Sequence, residues 1–313
     1  MRLLYAFLKL IRSLNLLFIA ITQALFYAFI LLPLFRTHDV NPVIGFTDIV
    51  LFIAASTLIA AAGYIINDYF DLNIDRINKP GKMVVEKYIK RRWAIVWHMV
   101  LSVCGIAVSI YLGHKLNIWW LGPANAACVV ALWFYSTTFK RMLLAGNVII
   151  SLLTSWVVLV VGGAAHYMII SNPQLSSVID APRLLRVTFL YAAFAFVISL
   201  VREVVKDIED MPGDMKNGCR TMPVVWGVHV SKVFAGTWQV VLIACLVGVF
   251  AYMLQLGWYV SAVYCALMVV VPAIISFRQL IKAQTTEHFH RLSNFIKLIM
   301  FTGILSMLLY AFE

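Results

Sequence analysis

Asn67-Asp68-Tyr69-Phe70-Asp71-Leu72-Asn73-Ile74-Asp75 runs straight out of an apolar stretch into a basic one. A second segment, Lys206-Asp207-Ile208-Glu209-Asp210-Met211-Pro212-Gly213-Asp214, does the same. Each holds three aspartates in the spacing D-x-x-D-x-x-x-D. On a helix, steps of three and four residues return to one face. Carboxylates set that closely repel one another unless a cation lies among them. The chain has only 14 acidic residues, and six of them stand in these two segments, so they are not samples of a generally acidic surface. Oxygen donors of this kind suit a hard divalent ion such as Mg²⁺, shared with substrate phosphates. Asp71-x-Asn73-x-Asp75 also opens like a calcium-binding loop, but Arg76 stands where that loop needs Gly and Lys82 where it needs Glu.

Outward from these segments the chain is apolar. It is 63% hydrophobic and 12% charged over 313 residues, and apolar runs of about 20 residues recur along it, which is the mark of membrane-spanning helices. Nine such runs stand out, near 14–35, 47–67, 93–113, 118–138, 144–166, 184–204, 229–252, 257–277 and 293–312. The expected fold is therefore all-α and polytopic. Residues 1–313 read as one membrane domain with a weak internal pseudo-repeat, whose acidic loops are 67–92 and 202–228. The five cysteines have no paired spacing and are expected to be free thiols.

The net charge of +11 does not point to nucleic acid. With nine spans, 21 of the 25 Lys and Arg fall on the side of the N-terminus; Arg36, Lys115, Arg183 and Arg186 hold the other side. The positive-inside rule then places the N-terminus and both aspartate segments in the cytoplasm, in an integral protein of the cell (inner) membrane.

Cations surround both segments: Arg76, Lys79 and Lys82 at the first, Lys206, Lys216 and Arg220 at the second. Carboxylates, a metal and Lys or Arg together are a means of holding pyrophosphate. Placed at the end of apolar helices, this implies a lipid-linked diphosphate. An allylic diphosphate ionises once its leaving group is neutralised, and the carbocation needs a water-poor, aromatic surround. The chain is 13% aromatic with nine Trp. A cation-coupled transporter is the alternative from another class, but transporter sites sit near the bilayer midplane, and these clusters sit at its cytoplasmic edge.

At these residues the chain resembles the UbiA superfamily of membrane prenyltransferases, over nearly its whole length. Asn67 to Asp75 matches the family motif NDxxDxxxD, and Arg76-Ile77-Asn78-Lys79-Pro80 resembles its continuation. Asp210-Met-Pro-Gly-Asp214 matches the second motif, and Gly218-Cys-Arg220-Thr221-Met-Pro223 resembles the stretch after it. Fainter echoes are Arg12-Ser-Leu-Asn15, and Tyr135 through Lys140 and Arg141 to Gly146-Asn147. The resemblance implies nine helices around a central cavity with cytoplasmic Asp-rich cap loops, two Mg²⁺ ions, and a polyprenyl diphosphate donor with a lipophilic acceptor. It implies that Asn67 and Asp71 hold one ion, supported by Asp68 and Asp75, and that Asp210 and Asp214 hold the other with Asp207 nearby. Asp71, Asp210 and Asp214 are the implied catalytic set. Arg76, Lys79, Lys140, Lys206 and Arg220 are candidates for diphosphate contact.

Residues 202–223 are similar in wording to the family's ether-lipid branch, which implies geranylgeranyl transfer to geranylgeranylglyceryl phosphate. Transfer to an aromatic quinone precursor uses the same two motifs and stays open. Asn15 and Gln23, polar groups inside the first span, either line a substrate cavity or bridge helices. His288-Phe-His290 lacks ligand spacing and reads as a solvated loop.

Overall fold

The computed structural model describes residues 2–78 and 83–312, and among them no strand forms beyond one isolated bridge, Val85 to Ile89. The protein is an all-helical, polytopic membrane protein. Eight helices are long and apolar enough to span: α2 Ser13–Arg36, α3 Phe46–Phe70, α5 Arg91–Lys115, α7 Ala145–Ile170, α9 Ala181–Lys216, α10 Met222–Gln255, α11 Tyr259–Lys282 and α12 Thr286–Tyr310. Shorter helices are α1 Arg2–Leu10, α4 Leu72–Asn78, α6 Leu121–Thr137 and α8 Pro173–Ser176. Without water, each backbone amide must bond inside its own segment, and helices do this.

Of the nine runs expected from sequence, eight match these spanning helices. The ninth, 118–138, forms α6, only 17 residues long. It is shortened because Asn117 takes a left-handed φ of 56° and the N–H of Ile118 turns back to the Gly113 carbonyl at 2.7 Å.

Two compact units divide the chain: residues 1–140 with 156–189, and 141–155 with 190–313. In the first, α3 is the centre, packed on α2, α5 and α6. Gly105 lets α5 approach so closely that a Cβ there would stand 2.7 Å from Ile59, in keeping with small residues at membrane helix contacts. Polar side chains tie these helices. Asn125 donates to Ser109 at 2.8 Å and accepts from Trp156 at 2.9 Å. Gln23 donates to Ser56 at 2.8 Å and to the Val157 carbonyl at 3.0 Å, so of its two expected roles the bridge is what the structure shows. At one end of α3, Asp48 caps the Gly45 N–H at 3.1 Å and pairs with Lys115 at 2.5 Å.

The first acidic segment is positioned by a small core of its own. Ala6 and Leu10 of α1 pack with Ile65, Leu72, Val84, Val85, Ile89 and Ala94. In the second unit α11 packs against α10 and α12. Its core joins Ile198, Val201, Val205 and Ile208 of α9 to Leu280, Phe289 and Ile296, so the helix that carries the second acidic segment is anchored over the turns that lead into it.

Gly113 is a point where the close turn into α6 has no slack. A Cβ would stand 2.8 Å from the Ile118 carbonyl oxygen, a backbone atom that no rotamer change moves. Gly113→Ala should destabilise the protein by about 1–3 kcal/mol. Gly248→Ala, where a Cβ meets nothing within 4 Å, should be neutral or stabilising by up to about 1 kcal/mol. Thermal unfolding in detergent reads both, and equal melting temperatures for the two variants would contradict the tight turn.

Candidate active site

The first aspartate segment does not follow one unbroken helix. Helix α3 ends at Phe70, Asp71 caps it with φ −86° and ψ −1°, and α4 begins at Leu72. Helical bonding nonetheless carries across the break: the Asp71 N–H bonds to Asn67 O at 3.0 Å and the Asp75 N–H to Asp71 O at 2.8 Å. The expected common face of Asn67, Asp71 and Asp75 is thereby kept.

Asn67 and Asp71 are both buried, at 8% and 4% exposure. The Asn67 amide donates to Asp71 Oδ2 at 2.7 Å. The Lys140 ammonium reaches the same carboxylate oxygen and lies 3.4 Å from Asn67 Oδ1. Burial by itself would lower the Lys140 pKa, but the charge of Asp71, with Tyr135 and Asp75 behind it, outweighs that and holds the pKa above the usual lysine range. Lys140 is delivered by a short 3₁₀ turn, Phe139–Arg141, just after α6.

Asp68 faces a different cation. Arg12 Nη2 donates to Asp68 Oδ1 at 2.8 Å and the guanidinium stands 5.0 Å from the Tyr64 ring centroid. Arg12 sits between α1 and α2 with φ 51° and ψ 55°, a left-handed conformation that is unfavourable for a residue with a Cβ. Burial lowers its pKa, and the charge of Asp68 more than reverses this, so the guanidinium is held above its ordinary value. Asn15 is half-buried in the next turn. Arg76 is exposed and pairs with Glu86 at 2.7 Å. Lys79 lies outside the described residues.

The second segment was expected in a loop, and it is helical instead. Helix α9 continues through Pro212 to Lys216. Gly218, at φ 68°, then ends it, and the Cys219 N–H returns to Asp214 O at 2.9 Å, as expected for glycine just beyond a helix C-terminus. The extension places Asp207, Asp210 and Asp214 along one face. Asp207 accepts from Asn147 at 2.7 Å. Asp214, buried at 5% exposure, accepts from Thr221 at 3.1 Å. Asp210 is partly buried, Lys206 bonds to Glu203 at 3.0 Å, and the exposed Arg220 is fixed through its N–H to the Arg141 carbonyl at 2.8 Å.

Several partners at these segments were not singled out from sequence. Glu203 carried a signal, since it precedes Asp207 by four residues on the same face. The pairing of Glu209 with His290 carried none, because the two are 81 residues apart. His290 lies in α12 rather than in the expected loop, and its Nδ1 stands 2.7 Å from Glu209 Oε1. An ionised carboxylate only accepts, so Nδ1 carries the hydrogen.

Among the described residues, no three His, Cys, Asp or Glu side chains converge closely enough to enclose a metal by themselves. Mg²⁺ does not require that, because it keeps waters and shares substrate phosphates while using one or two protein carboxylates. The buried Asn67 and Asp71 oxygens already converge on a cation, the Lys140 ammonium. The donor set fits such an ion.

Comparison with known proteins identifies the family and the fold. A family model described as the UbiA prenyltransferase family matches residues 24–299. A protein of Korarchaeum cryptofilum named digeranylgeranylglyceryl phosphate synthase is 30% identical over 82% of this chain and 83% of its own. One of the same name from Methanospirillum hungatei is 31% identical over 81% and 82%. A solved UbiA homologue from Archaeoglobus fulgidus, bound to GPP and Mg²⁺, shares the fold with a TM-score of 0.59 at 14% identity, over 96% of this chain and 99% of that one. A solved digeranylgeranylglyceryl phosphate synthase does so with a TM-score of 0.61 at 24% identity, over 99% of both chains. Acidic segments at the ends of apolar helices, each braced by neighbouring polar and basic groups, thus belong to a membrane enzyme that transfers prenyl groups: the chain is a member of the UbiA prenyltransferase family.

Proposed function

We propose that the enzyme moves a geranylgeranyl group from its diphosphate to the free hydroxyl of geranylgeranylglyceryl phosphate, with Mg²⁺ at each acidic segment. The donor half is carried by the buried Asn67–Asp71 pair facing Lys140. The acceptor half is supported by the relatives named digeranylgeranylglyceryl phosphate synthase, which match across most of their length.

Asn67 and Asp71 would hold one ion with Asp68 and Asp75 in support, and Asp210 and Asp214 the other with Asp207. The metal, when bound, neutralises charge that builds on the leaving pyrophosphate. Lys140, Lys206, Arg220, Arg76 and Lys79 supply the remaining positive charge to the donor, and Asn15 contributes a polar contact to substrate. The C1–O bond of the donor breaks and pyrophosphate leaves. The acceptor hydroxyl oxygen then bonds to C1, and its proton passes to the released pyrophosphate. An apolar surround keeps water from competing for the allylic cation.

Asp71→Asn and Asp210→Asn should each lower turnover by about a hundredfold or more, because a metal contributes several kcal/mol of leaving-group stabilisation. Excess EDTA should abolish activity and Mg²⁺ restore it; full turnover in EDTA would sink the metal assignment. Lys140→Ala should lower kcat/KM for the donor by roughly tenfold to a hundredfold, the size of one lost hydrogen bond to a charged group. An unchanged value would return Lys140 to a purely structural role.

Counted with α6 as a ninth crossing, the placement of 21 of 25 basic residues supports a cytoplasmic N-terminus and cytoplasmic acidic segments. In a cysteine-depleted background, Lys87→Cys and Lys216→Cys should label from the cytoplasmic side alone, and Arg183→Cys from the other. Labelling of Lys87→Cys from outside would reverse the orientation.

The acceptor itself is tested with purified protein, Mg²⁺ and geranylgeranyl diphosphate, offered geranylgeranylglyceryl phosphate and aromatic acids at matched concentrations. Ether-lipid product is expected. Product from the aromatic acids alone would overturn the acceptor while leaving prenyl transfer intact.

A further inference from the structure

One helical turn before Asp207, Arg202 and Glu203 have no part in the reaction described above, although Glu203 bonds to Lys206. Glu203 is buried, at 8% exposure. Its Oε1 accepts from Arg202 Nη1 at 3.0 Å and from Lys206 Nζ at 3.3 Å, and its Oε2 accepts from Lys206 Nζ at 3.0 Å. Glu203, Asp207, Asp210 and Asp214 follow steps of four, three and four, so Glu203 continues the acidic face one turn further back along α9.

Two cations share the Glu203 carboxylate here. Arg202 is also incompletely bonded. Glu203 takes Nη1, while Arg202 Nε is buried and has no hydrogen-bond partner among the described residues. Buried donors are almost always paired, and an unpaired one on a charged group is costly. The guanidinium is rigid and planar, and it grips oxyanions through adjacent N–H groups. With Nη1 pinned on Glu203, Nε is the donor of the guanidinium left without an acceptor among the described residues.

We propose that Arg202 binds the phosphate of the acceptor lipid, with Glu203 as the residue that positions it. This rests on the ether-lipid reading of the acceptor, because a glycerol phosphate brings an anion that the donor diphosphate does not. It separates the two substrates by residue: Arg202 answers to the acceptor, and Lys140 to the donor.

The test uses the full-length purified enzyme with Mg²⁺, geranylgeranyl diphosphate and two acceptors, geranylgeranylglyceryl phosphate and its dephosphorylated alcohol. Wild type should prefer the phosphorylated acceptor. Arg202→Ala should raise KM for that acceptor by tenfold or more, leave donor KM within about twofold, and leave the rate on the alcohol unchanged, as loss of one charged contact predicts. Arg202→Lys should recover part of the loss, since lysine keeps the charge without the fork. Glu203→Gln should shift acceptor KM in the same direction by a smaller factor. A rise in donor KM, an equal loss on both acceptors, or no change at all would each overturn the assignment. If Arg202→Ala does not purify as a folded protein, Arg202→Lys decides by the same split between acceptors. Wild type that ignores the phosphorylated acceptor and prenylates aromatic acids would refute the acceptor reading itself, and Arg202 as its phosphate site with it. That outcome is visible before any variant is made.

Discussion

The charge on Asp71 is the constraint around which the first acidic segment is built. A carboxylate at 4% exposure at the end of an apolar helix is stable only if its charge is answered, because removing an ion from water costs several kcal/mol. The helix terminus makes matters worse, since the C-terminal end of a helix carries partial negative charge. The Asn67 amide and the Lys140 ammonium answer it. Lys140 lies 69 residues away in sequence, so the end of α6 and the turn after it must be where they are for Asp71 to be tolerated. The proposed diphosphate site falls at the same place because the groups that make a buried carboxylate tolerable are also groups that grip phosphate.

Arg12 shows the same logic applied to backbone. Its left-handed conformation costs about 1–2 kcal/mol for a residue with a Cβ. A half-exposed ion pair with Asp68 offsets about 0–1 kcal/mol of that, and the contact with Tyr64 about 0.5–1 kcal/mol. These roughly balance, so neither interaction alone would keep the strain. The packing of Ala6 and Leu10 of α1 against Ile65 and Leu72 supplies the rest, which is how a strained residue persists when its surroundings over-determine it. The break between α1 and α2 therefore follows from where Arg12 must point.

Much of this was legible in the sequence because the signals were periodic. Apolar runs located eight spanning helices, though several of the later ones begin or end well outside their runs, and the four-residue step from Asn67 to Asp71 gave the contact that the structure shows. Read from sequence, the sixth span ends at 204, because Arg202, Glu203, Lys206 and Asp207 break the apolar run. The helix runs on to Lys216 because those charges neutralise one another along its surface and the apolar side, Val201, Val204, Val205 and Ile208, continues into the core. A hydropathy window sums both faces and loses that distinction. The bond between Glu209 and His290 was out of reach for another reason: a pairing across 81 residues depends on how α9 and α12 pack, and no local pattern encodes it.

Pro212 lies within the helical second segment, where it removes one backbone donor and ordinarily destabilises a helix by about 3 kcal/mol. The residues after it make this tolerable. Gly218 closes the helix, Thr221 holds the Asp214 carboxylate, and the Arg220 N–H is fixed on Arg141. The last turn of α9 is thus held from its far side by the loop beyond it as well as by its own hydrogen bonds. Gly227, at φ 81°, then bends the chain so that the transmembrane part of α10 starts beyond it. Because the helix runs on past the proline until Gly218 ends it, the carboxylates keep helical spacing beyond its apolar stretch, so that Asp210 and Asp214 stand in register with Asp207.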